Sequence, residues 1–228
     1  MSGFVLPPLR PLRYEPPPGL PVIHVDDQLL AVDKPSGLLT VPGREAELAD
    51  CVAARAEAAY PGARIVHRLD MDTSGVLVLA RTPHAQRHLG LQFERRHAAK
   101  LYEAIVAGQP QADAGTVDLP LATDWPQRPR QRPDPAGRRA VTDWEVIERL
   151  AEPAPDGAAR LALRPLTGRS HQLRAHLLWL GHPILGDALY ADDGVFAAAP
   201  RLMLHARKLD LRHPVGGAPL QLEAPCPF

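Results

Sequence analysis

Hydrophobic and polar positions along the 228-residue chain form short apolar stretches separated by turn-forming residues. Two apolar runs around an acidic turn predict a hairpin over Val22–Asp33. Leu38–Val41 predicts a short strand that ends at a Pro-Gly pair. A helix is predicted over Ala49–Tyr60, where a second Pro-Gly pair ends it. The first quarter of the chain is therefore predicted to form three short strands and then a helix, after a proline-rich start.

The stretch Ile65–Ala80 reads IVHRLDMDTSGVLVLA, which predicts a strand, a charged loop and a fully apolar second strand. Thr82 precedes a proline, and this pair predicts the start of a helix that runs to about Arg96. Alternation of apolar and polar residues then predicts a strand over Lys100–Ala107. The charged loop lies between two strands, where charge is unusual unless it is paired.

The second half of the chain begins with a proline-rich stretch, Trp125–Arg139, that predicts a long loop. Ala140–Leu150 and Ala159–Pro165 predict paired strands, and Ser170–Leu180 predicts a helix. Two further strands are predicted over Leu202–Leu211 and from about Leu220. Strands outnumber helices and most connections are short, so we expect an α+β fold with a mixed, largely antiparallel sheet flanked by helices.

Residues 1–20 are rich in proline and predict an extended or disordered arm, followed by one domain over residues 21–228. The two cysteines, Cys51 and Cys226, have no metal-ligand spacing and are expected to be free thiols in a reducing compartment. Neither a signal peptide nor an apolar run of about 20 residues is visible, which favours a cytoplasmic protein without a membrane anchor. The 26 basic and 26 acidic residues balance. This charge balance disfavours global wrapping by a polyanion and leaves room for a local basic face.

Asp70 is the first candidate for chemistry, because the pattern puts its carboxylate at a sheet edge between two strands. The alternative interpretation is that Asp70 is an ordinary turn residue that pairs with an exposed Arg68. Tyr102 is a second candidate, because alternation places it on the same face as Lys100. A tyrosine there is either a core residue or, beside a polar cleft, a platform for a nucleobase.

The stretch Leu163–His176, LRPLTGRSHQLRAH, crowds polar side chains onto the start of a helix. Such a helix start either meets a charged partner or an anion, or is simply a solvated first turn. The crowding residues are Arg169, His171, Gln172, Arg174 and His176.

Several of these stretches together resemble the motifs of the RluA family of pseudouridine synthases. The matching stretches are HRLD-x-x-TSG at His67–Gly75, KPSGLL-x-VPGR at Lys34–Arg44, K-x-Y at Lys100–Tyr102 and GRSHQLR at Gly168–Arg174. The resemblance covers about residues 22–228 and implies the pseudouridine synthase catalytic fold without an S4 domain. Two further stretches, Asp124–Pro129 and Gly181–Ala191, resemble the subgroup that acts on both large-subunit (23S) rRNA and tRNA.

The resemblance implies a role for individual residues. Asp70 corresponds to the catalytic carboxylate, and Arg169 to the arginine that keeps it ionised. Tyr102 corresponds to a tyrosine that stacks on the target ring, and Leu173 to an aliphatic residue beneath it. Thr73, which lies in the same motif as Asp70, is expected to bind the substrate. No cofactor or metal is implied, because the glycosidic bond is rearranged rather than reduced or hydrolysed.

RNA contacts are expected from arginines. Arg68 resembles the side chain that fills the space of the flipped uridine, and its alternative is a structural salt bridge. The proline-rich loop carries five arginines against one acid, and we expect phosphate contacts there, although a solvated loop is the alternative. The loop arginines are Arg128, Arg130, Arg132, Arg138 and Arg139.

Two other function classes remain open from the residues alone. A non-catalytic RNA-binding module would not need a carboxylate facing phosphates, and a glycosidase would need two acids across a sugar. Asp72, which lies on a turn, is a poor second acid. The expected protein is a monomeric isomerase that acts on structured RNA.

Overall fold

A computed structural model describes residues 6–154 and 156–228. The chain forms two compact units. The first unit contains Arg13–Leu101 and His205–Phe228. The second unit contains Tyr102–Leu204 and the N-terminal residues up to Leu12.

Strands dominate both units, with a few short helices between them. The strands are β1 Val22–Val25, β2 Leu29–Lys34, β3 Arg64–Ile65, β4 Ser74–Ala80, β5 Ala99–Ala107, β6 Ala114–Asp118, β7 Leu121–Thr123, β8 Gln131–Pro133, β9 Val141–Leu150, β10 Ala158–Pro165, β11 Leu204–Arg212 and β12 Pro219–Glu223. The helices are α1 Val52–Ala59, α2 Pro83–Glu94, α3 Gln172–Trp179 and α4 Asp193–Ala197, and short 3₁₀ helices cover Ala46–Leu48 and Trp125–Gln127.

Strand β4 is the centre of the first unit. It pairs antiparallel with β2 and β3 and parallel with β11. Every residue of β4 is buried, which explains why its sequence is apolar without alternation. Val76 and Val78 pack in one cluster with Ala85 and Leu89 of α2. This packing fixes the end of β4 at which the charged loop arrives.

Helix α2 begins as the sequence predicts. The Thr82 hydroxyl accepts a hydrogen bond from the Ala85 amide at 3.0 Å, and Pro83 occupies the first helical turn. The helix ends at Glu94, two residues earlier than predicted. The hairpin predicted over Val22–Asp33 is also confirmed, as the pairing of β1 with β2.

The sheet of the second unit has the order β5-β10-β9-β6, and its pairings are antiparallel. Leu161 and Leu163 of β10 pack in one cluster with Leu173 and Leu177 of α3. The predicted strand pair and the predicted helix are therefore confirmed. The second unit thus presents the turn before α3 from a rigid sheet-and-helix base.

Two predicted segments are wrong in detail. Leu38–Val41 is not a strand, because the Leu39 and Thr40 carbonyls accept from amides of the first turn of α1 instead of from a ladder. The predicted loop Trp125–Arg139 contains a 3₁₀ helix and β8, which pairs with β7 in a small separate sheet. Local sequence could not predict this pairing because β8 contains a proline and an arginine.

The N-terminal arm, described from Leu6 onward, is extended and hydrogen-bonded. In the second unit the Arg130 guanidinium donates to the Pro7 carbonyl at 2.6 Å and to the Pro8 carbonyl at 3.2 Å. In the first unit Arg55 donates to the carbonyls of Pro17 and Gly19, both at 2.7 Å. Prolines suit this arrangement because they offer carbonyls and no N–H groups. In the described part of the chain, no helix has the length and apolar character needed to span a membrane.

Candidate active site

Asp70 lies in the loop that joins β3 to β4, in the first unit, and is partly buried. The Thr73 amide donates to the Asp70 carbonyl at 3.2 Å and closes a turn just before β4 begins. Arg68 is exposed, whereas the Thr73 side chain is almost fully buried. Asp70 thus lies between two strands, as the pattern predicted.

The segment that follows β2 holds the backbone of this loop. The Thr40 hydroxyl donates to the Leu69 carbonyl at 2.7 Å and accepts from the Leu69 amide at 3.3 Å. The Met71 carbonyl accepts from the Gly37 amide at 3.0 Å. These contacts fix the residues on both sides of Asp70, so the loop is preorganised.

Lys34 anchors both segments from the interior. Its side chain has no exposed surface, and its ammonium donates to the carbonyls of Pro35 at 2.9 Å, Leu38 at 2.7 Å and Met71 at 2.7 Å. A buried ammonium is tolerated when hydrogen bonds replace its hydration. Sequence reasoning missed this role. The available signal was that the chain uses lysine at three positions and arginine elsewhere.

His67 supports the loop as a neutral ring. Its Nε2 accepts from the Val78 amide at 3.0 Å, and the ring stacks on Phe93 with centroids 4.3 Å apart. Desolvation and the nearby charge of Lys100 lower the pKa of His67 to about 3. The pKa of Lys100 is itself lowered, to about 8, by burial and by Arg96. His67 therefore acts as a structural acceptor at neutral pH.

The turn into β4 requires its glycine. Gly75 has a φ of +108°, and a Cβ atom there would overlap the carbonyl oxygen of Ala206 on the paired strand β11. The neighbouring Ser74 hydroxyl lies 2.8 Å from Nδ1 of His205, whose Nε2 donates to the Ala224 carbonyl. Ser74 and Gly75 are therefore explained by strand packing.

Tyr102 and Leu173 come together in the second unit. Tyr102 of β5 lies opposite Leu163 of β10 and packs, partly exposed, against the cluster that contains Leu173. The leucine is almost fully buried. An aromatic ring with a partly open face on a rigid apolar base can stack on a flat heterocycle.

Arg169 lies in the turn before α3 and is partly exposed. Its amide donates to the side-chain carbonyl oxygen of Gln172 at 3.0 Å, and its Nε donates to the Arg139 carbonyl at 3.1 Å. The same Gln172 oxygen accepts from the Thr167 hydroxyl at 2.6 Å. The buried side-chain amide of Gln172 therefore fixes the backbone at Arg169.

Gln172 and His176 of this helix start are buried rather than solvated. Gln172 donates to the Thr142 hydroxyl at 3.0 Å, and that hydroxyl lies 3.0 Å from Nδ1 of His176. The second nitrogen of His176 donates to the Leu119 carbonyl at 3.1 Å. Burial lowers the pKa of His176 to about 4. The solvated-turn alternative is wrong for these residues.

Arg174 also has an internal role. It forms a fully buried, two-pronged ion pair with Asp187, with N–O distances of 2.8 and 2.6 Å. Asp187 accepts in addition from the amides of Leu189 and Tyr190. Its pKa is lowered because the charge of Arg174 and these hydrogen bonds outweigh its burial. Sequence reasoning recognised the need for a charged partner without identifying Asp187.

The loop arginines divide into two groups. Arg128, Arg132, Arg138 and Arg139 are exposed. Arg130 is fully buried, and its guanidinium donates to Pro7, Pro8 and Gln127. A side chain that is enclosed in this way is not offered to RNA, so the structure argues against a phosphate contact by Arg130. Its burial depends on the arm, which local sequence does not relate to the loop.

The candidate residues are divided between the two units. Asp70, Arg68 and Thr73 belong to the first unit. Tyr102, Arg169 and Leu173 belong to the second. Among the described residues, no group of three or more His, Cys, Asp or Glu side chains is arranged to hold a metal ion.

Comparison with known proteins gives close relatives along nearly the whole chain. A family model described as RNA pseudouridylate synthase matches residues 28–179. The dual-specificity RNA pseudouridine synthase RluA of Escherichia coli K12 is 50% identical over 219 residues, which cover 95% of this chain and 98% of the relative. The protein of the same name from Haemophilus influenzae is 45% identical over 220 residues, with coverage of 95% and 99%.

Two solved structures of pseudouridylate synthase domain proteins are also similar to this chain. Human RNA pseudouridylate synthase domain containing 1 is similar with a TM-score of 0.76 and 28% identity, over 96% of this chain and 87% of that chain. Human RNA pseudouridylate synthase domain containing 4 is similar with a TM-score of 0.70 and 27% identity, over 91% and 88%. These likenesses, together with the observed sheets, confirm the α+β expectation.

Proposed function

The chain belongs to the RluA family of RNA pseudouridine synthases and isomerises uridine in RNA to pseudouridine, and on that premise we propose that Asp70 is the catalytic carboxylate. The observation that supports this role is the position of Asp70 in the loop just before β4, which Lys34 and Thr40 hold by hydrogen bonds. Preorganisation of this kind is what a reacting group needs.

The reaction moves one bond and leaves the composition of the RNA unchanged. The bond between uracil N1 and ribose C1′ breaks, and a new bond forms between C1′ and uracil C5. The proton at C5 is lost, and N1 becomes protonated. Asp70 serves this exchange either by attack on a carbon or by removal of a ribose proton, and both roles require the ionised form.

Tyr102 and Arg169 complete the proposed catalytic set. The Tyr102 ring, on the apolar cluster that includes Leu173, stacks on the uracil, and its hydroxyl assists proton transfer at C5. Arg169 corresponds to the family's arginine that favours the charged form of the catalytic carboxylate, and we propose the same role for it here. The fixed backbone of Arg169 supports this role, because a guanidinium on a held turn loses less freedom on pairing.

The target uridine must leave its stack before the carboxylate can reach it. Arg68 is exposed two residues before Asp70, and we propose that it fills the vacated space, with Thr73 holding the turn beside it. Phosphate contacts are assigned to the exposed loop arginines Arg128, Arg132, Arg138 and Arg139.

The substrates proposed for this chain are an anticodon stem-loop in tRNA and a site in large-subunit rRNA. The bacterial relatives are known as dual-specificity RNA pseudouridine synthases, which supports two classes of RNA substrate here. We place the enzyme in the cytoplasm, where both RNAs are found, and propose that it works as a monomer.

The decisive experiment compares two neighbouring acids. RNA incubated with the wild type, Asp70→Asn or Asp72→Asn is treated with carbodiimide, which marks pseudouridine, and is analysed by mass spectrometry. Asp70→Asn should abolish product while RNA binding persists, and Asp72→Asn should retain turnover within about tenfold. Substantial activity of Asp70→Asn would contradict the assignment. Release of free uracil that depends on both acids would indicate a glycosidase.

A further inference from the structure

Trp125 is the most exposed large apolar side chain in the described part of the chain, with 70% of its surface accessible. It opens the 3₁₀ helix Trp125–Gln127, between β7 and β8 of the second unit. Tryptophan is normally buried because its large ring gains much from leaving water. An indole held in solvent therefore suggests that a binding partner covers it.

The backbone under Trp125 is fixed. The Asp124 amide donates to the Arg130 carbonyl at 2.9 Å, and the Gln127 amide donates to the Asp124 carbonyl at 3.0 Å. The Arg130 amide donates back to the Gln127 carbonyl at 3.1 Å, and its buried guanidinium binds the Gln127 side chain at 2.7 Å. Trp125 is thus presented from a rigid turn, which lowers the entropy cost of using it as a contact.

A cation lies against the ring. The Arg128 guanidinium carbon is 4.8 Å from the centroid of the Trp125 ring. Such a pair orients the indole, and the high exposure of Trp125 shows that much of the ring remains open. An open aromatic face beside arginines matches the two halves of a single-stranded nucleotide, which are a flat base and a phosphate.

We propose that Trp125 stacks on an unpaired nucleobase of the RNA substrate, and that Arg128 contacts an adjacent phosphate. The inference rests on the RNA activity described above and adds a specific class of contact, a loop or bulge nucleotide in addition to the target uridine. If the surface instead bound a protein, removal of a nucleobase from the RNA would not change the effect of a Trp125 substitution.

The first experiment measures binding of a stem-loop RNA in which the wild type forms pseudouridine. Trp125→Ala should weaken the Kd roughly 5- to 150-fold, the range for loss of one base–aromatic stack, and Trp125→Phe should retain most of the affinity. The slope of log K against log salt should not change for Trp125→Ala, because stacking releases no counterions. For Arg128→Ala the slope should fall by about one.

Trp179→Ala is the matched control, because Trp179 is also exposed and lies at the end of α3 in the same unit. This variant should bind like the wild type. A second experiment replaces each unpaired nucleotide of the same RNA by an abasic residue. One position should weaken binding to the wild type while leaving binding to Trp125→Ala unchanged.

Equal affinity of Trp125→Ala and the wild type, or the absence of any abasic position coupled to Trp125, would overturn the proposal. The proposal would also be overturned if Trp125→Ala lost the same affinity for the intact RNA and for every abasic RNA. Such a uniform loss would indicate a damaged loop. None of these results would affect the assignment of Asp70, which is tested by product formation.

Discussion

Lys34 Nζ lies 2.7 Å from the carbonyl oxygen of Met71, the residue that follows Asp70. The same ammonium binds the Leu38 carbonyl at 2.7 Å. One charge therefore joins the segment after β2 to the loop before β4. The geometry of the loop that carries the proposed catalytic carboxylate therefore depends on Lys34.

Lys34→Met should lower both stability and turnover. Methionine keeps most of the volume but leaves buried carbonyls without their donor, which costs about 2–4 kcal/mol in the free energy of unfolding. Urea unfolding and single-turnover kinetics measure the two effects. Lys208→Met is the control, because Lys208 contacts Asp210 and Glu223 only at 3.4 and 3.9 Å near the surface, and should change stability by less than about 1 kcal/mol.

Stability should fall as the pH drops below about 6.5. The folded pKa values of His67 and His176 are about 3 and about 4, so the unfolded chain takes up protons first. Between its folded and unfolded pKa values, each histidine then changes the free energy of unfolding by about 1.4 kcal/mol per pH unit. Above pH 6.5 it contributes no slope, because the ring is neutral in both the folded and the unfolded chain. Urea unfolding between pH 5 and 7 measures the combined slope.

Substitutions of single histidines show which residues cause the pH dependence of stability. His67→Gln keeps an acceptor for the Val78 amide and should remove about half of the pH dependence. His84→Gln, which replaces an exposed histidine, is the control. A slope that persists fully in His67→Gln would show that this ring does not remain neutral in the folded protein.

Asp187→Asn should destabilise the second unit strongly. It leaves the buried Arg174 guanidinium without a counter-charge, which typically costs about 3–5 kcal/mol. Thermal and urea unfolding report the loss. Glu145→Gln breaks an exposed pair with Arg164 and should cost less than about 1 kcal/mol. Similar losses for the two variants would contradict the structural role of the Arg174–Asp187 pair.

Replacement of Arg128, Arg132 and Arg138 by alanine should weaken RNA binding and lower its salt dependence. Each lost phosphate contact removes nearly one unit from the slope of log K against log salt. Single-turnover rates at saturating RNA should change far less than Kd. Arg87→Ala, an exposed arginine of α2, is the control. Unchanged binding of the triple variant would exclude the loop as an RNA contact.

Local patterns predicted elements whose stability comes from their own residues. The hairpin β1–β2, helix α2 and the β9–β10 pair follow directly from periodicity and capping. The same patterns placed Asp70 between two strands. These features need only neighbours in sequence, so a single chain carries enough information for them.

Contacts between distant segments account for what sequence reasoning missed. The Leu38–Val41 backbone uses its carbonyls on α1, and Arg130 is enclosed by an arm at the other end of the sequence. The partner of Arg174 became known only once Asp187 was seen beside it. Residue type alone could not distinguish a buried arginine from an exposed one.

Arg130 and Arg55 hold the arm after Leu6 through carbonyl oxygens of its main chain. Two side chains of the arm add contacts of their own, because Arg10 donates to the Ala188 carbonyl and Tyr14 accepts from the Leu39 amide. The main-chain contacts tolerate changes in amino-acid identity as long as an extended backbone is kept, whereas the contacts of Arg10 and Tyr14 do not. In homologous enzymes, the guanidinium groups of Arg130 and Arg55 are therefore expected to be kept more strictly than the identities of the residues whose carbonyls they bind.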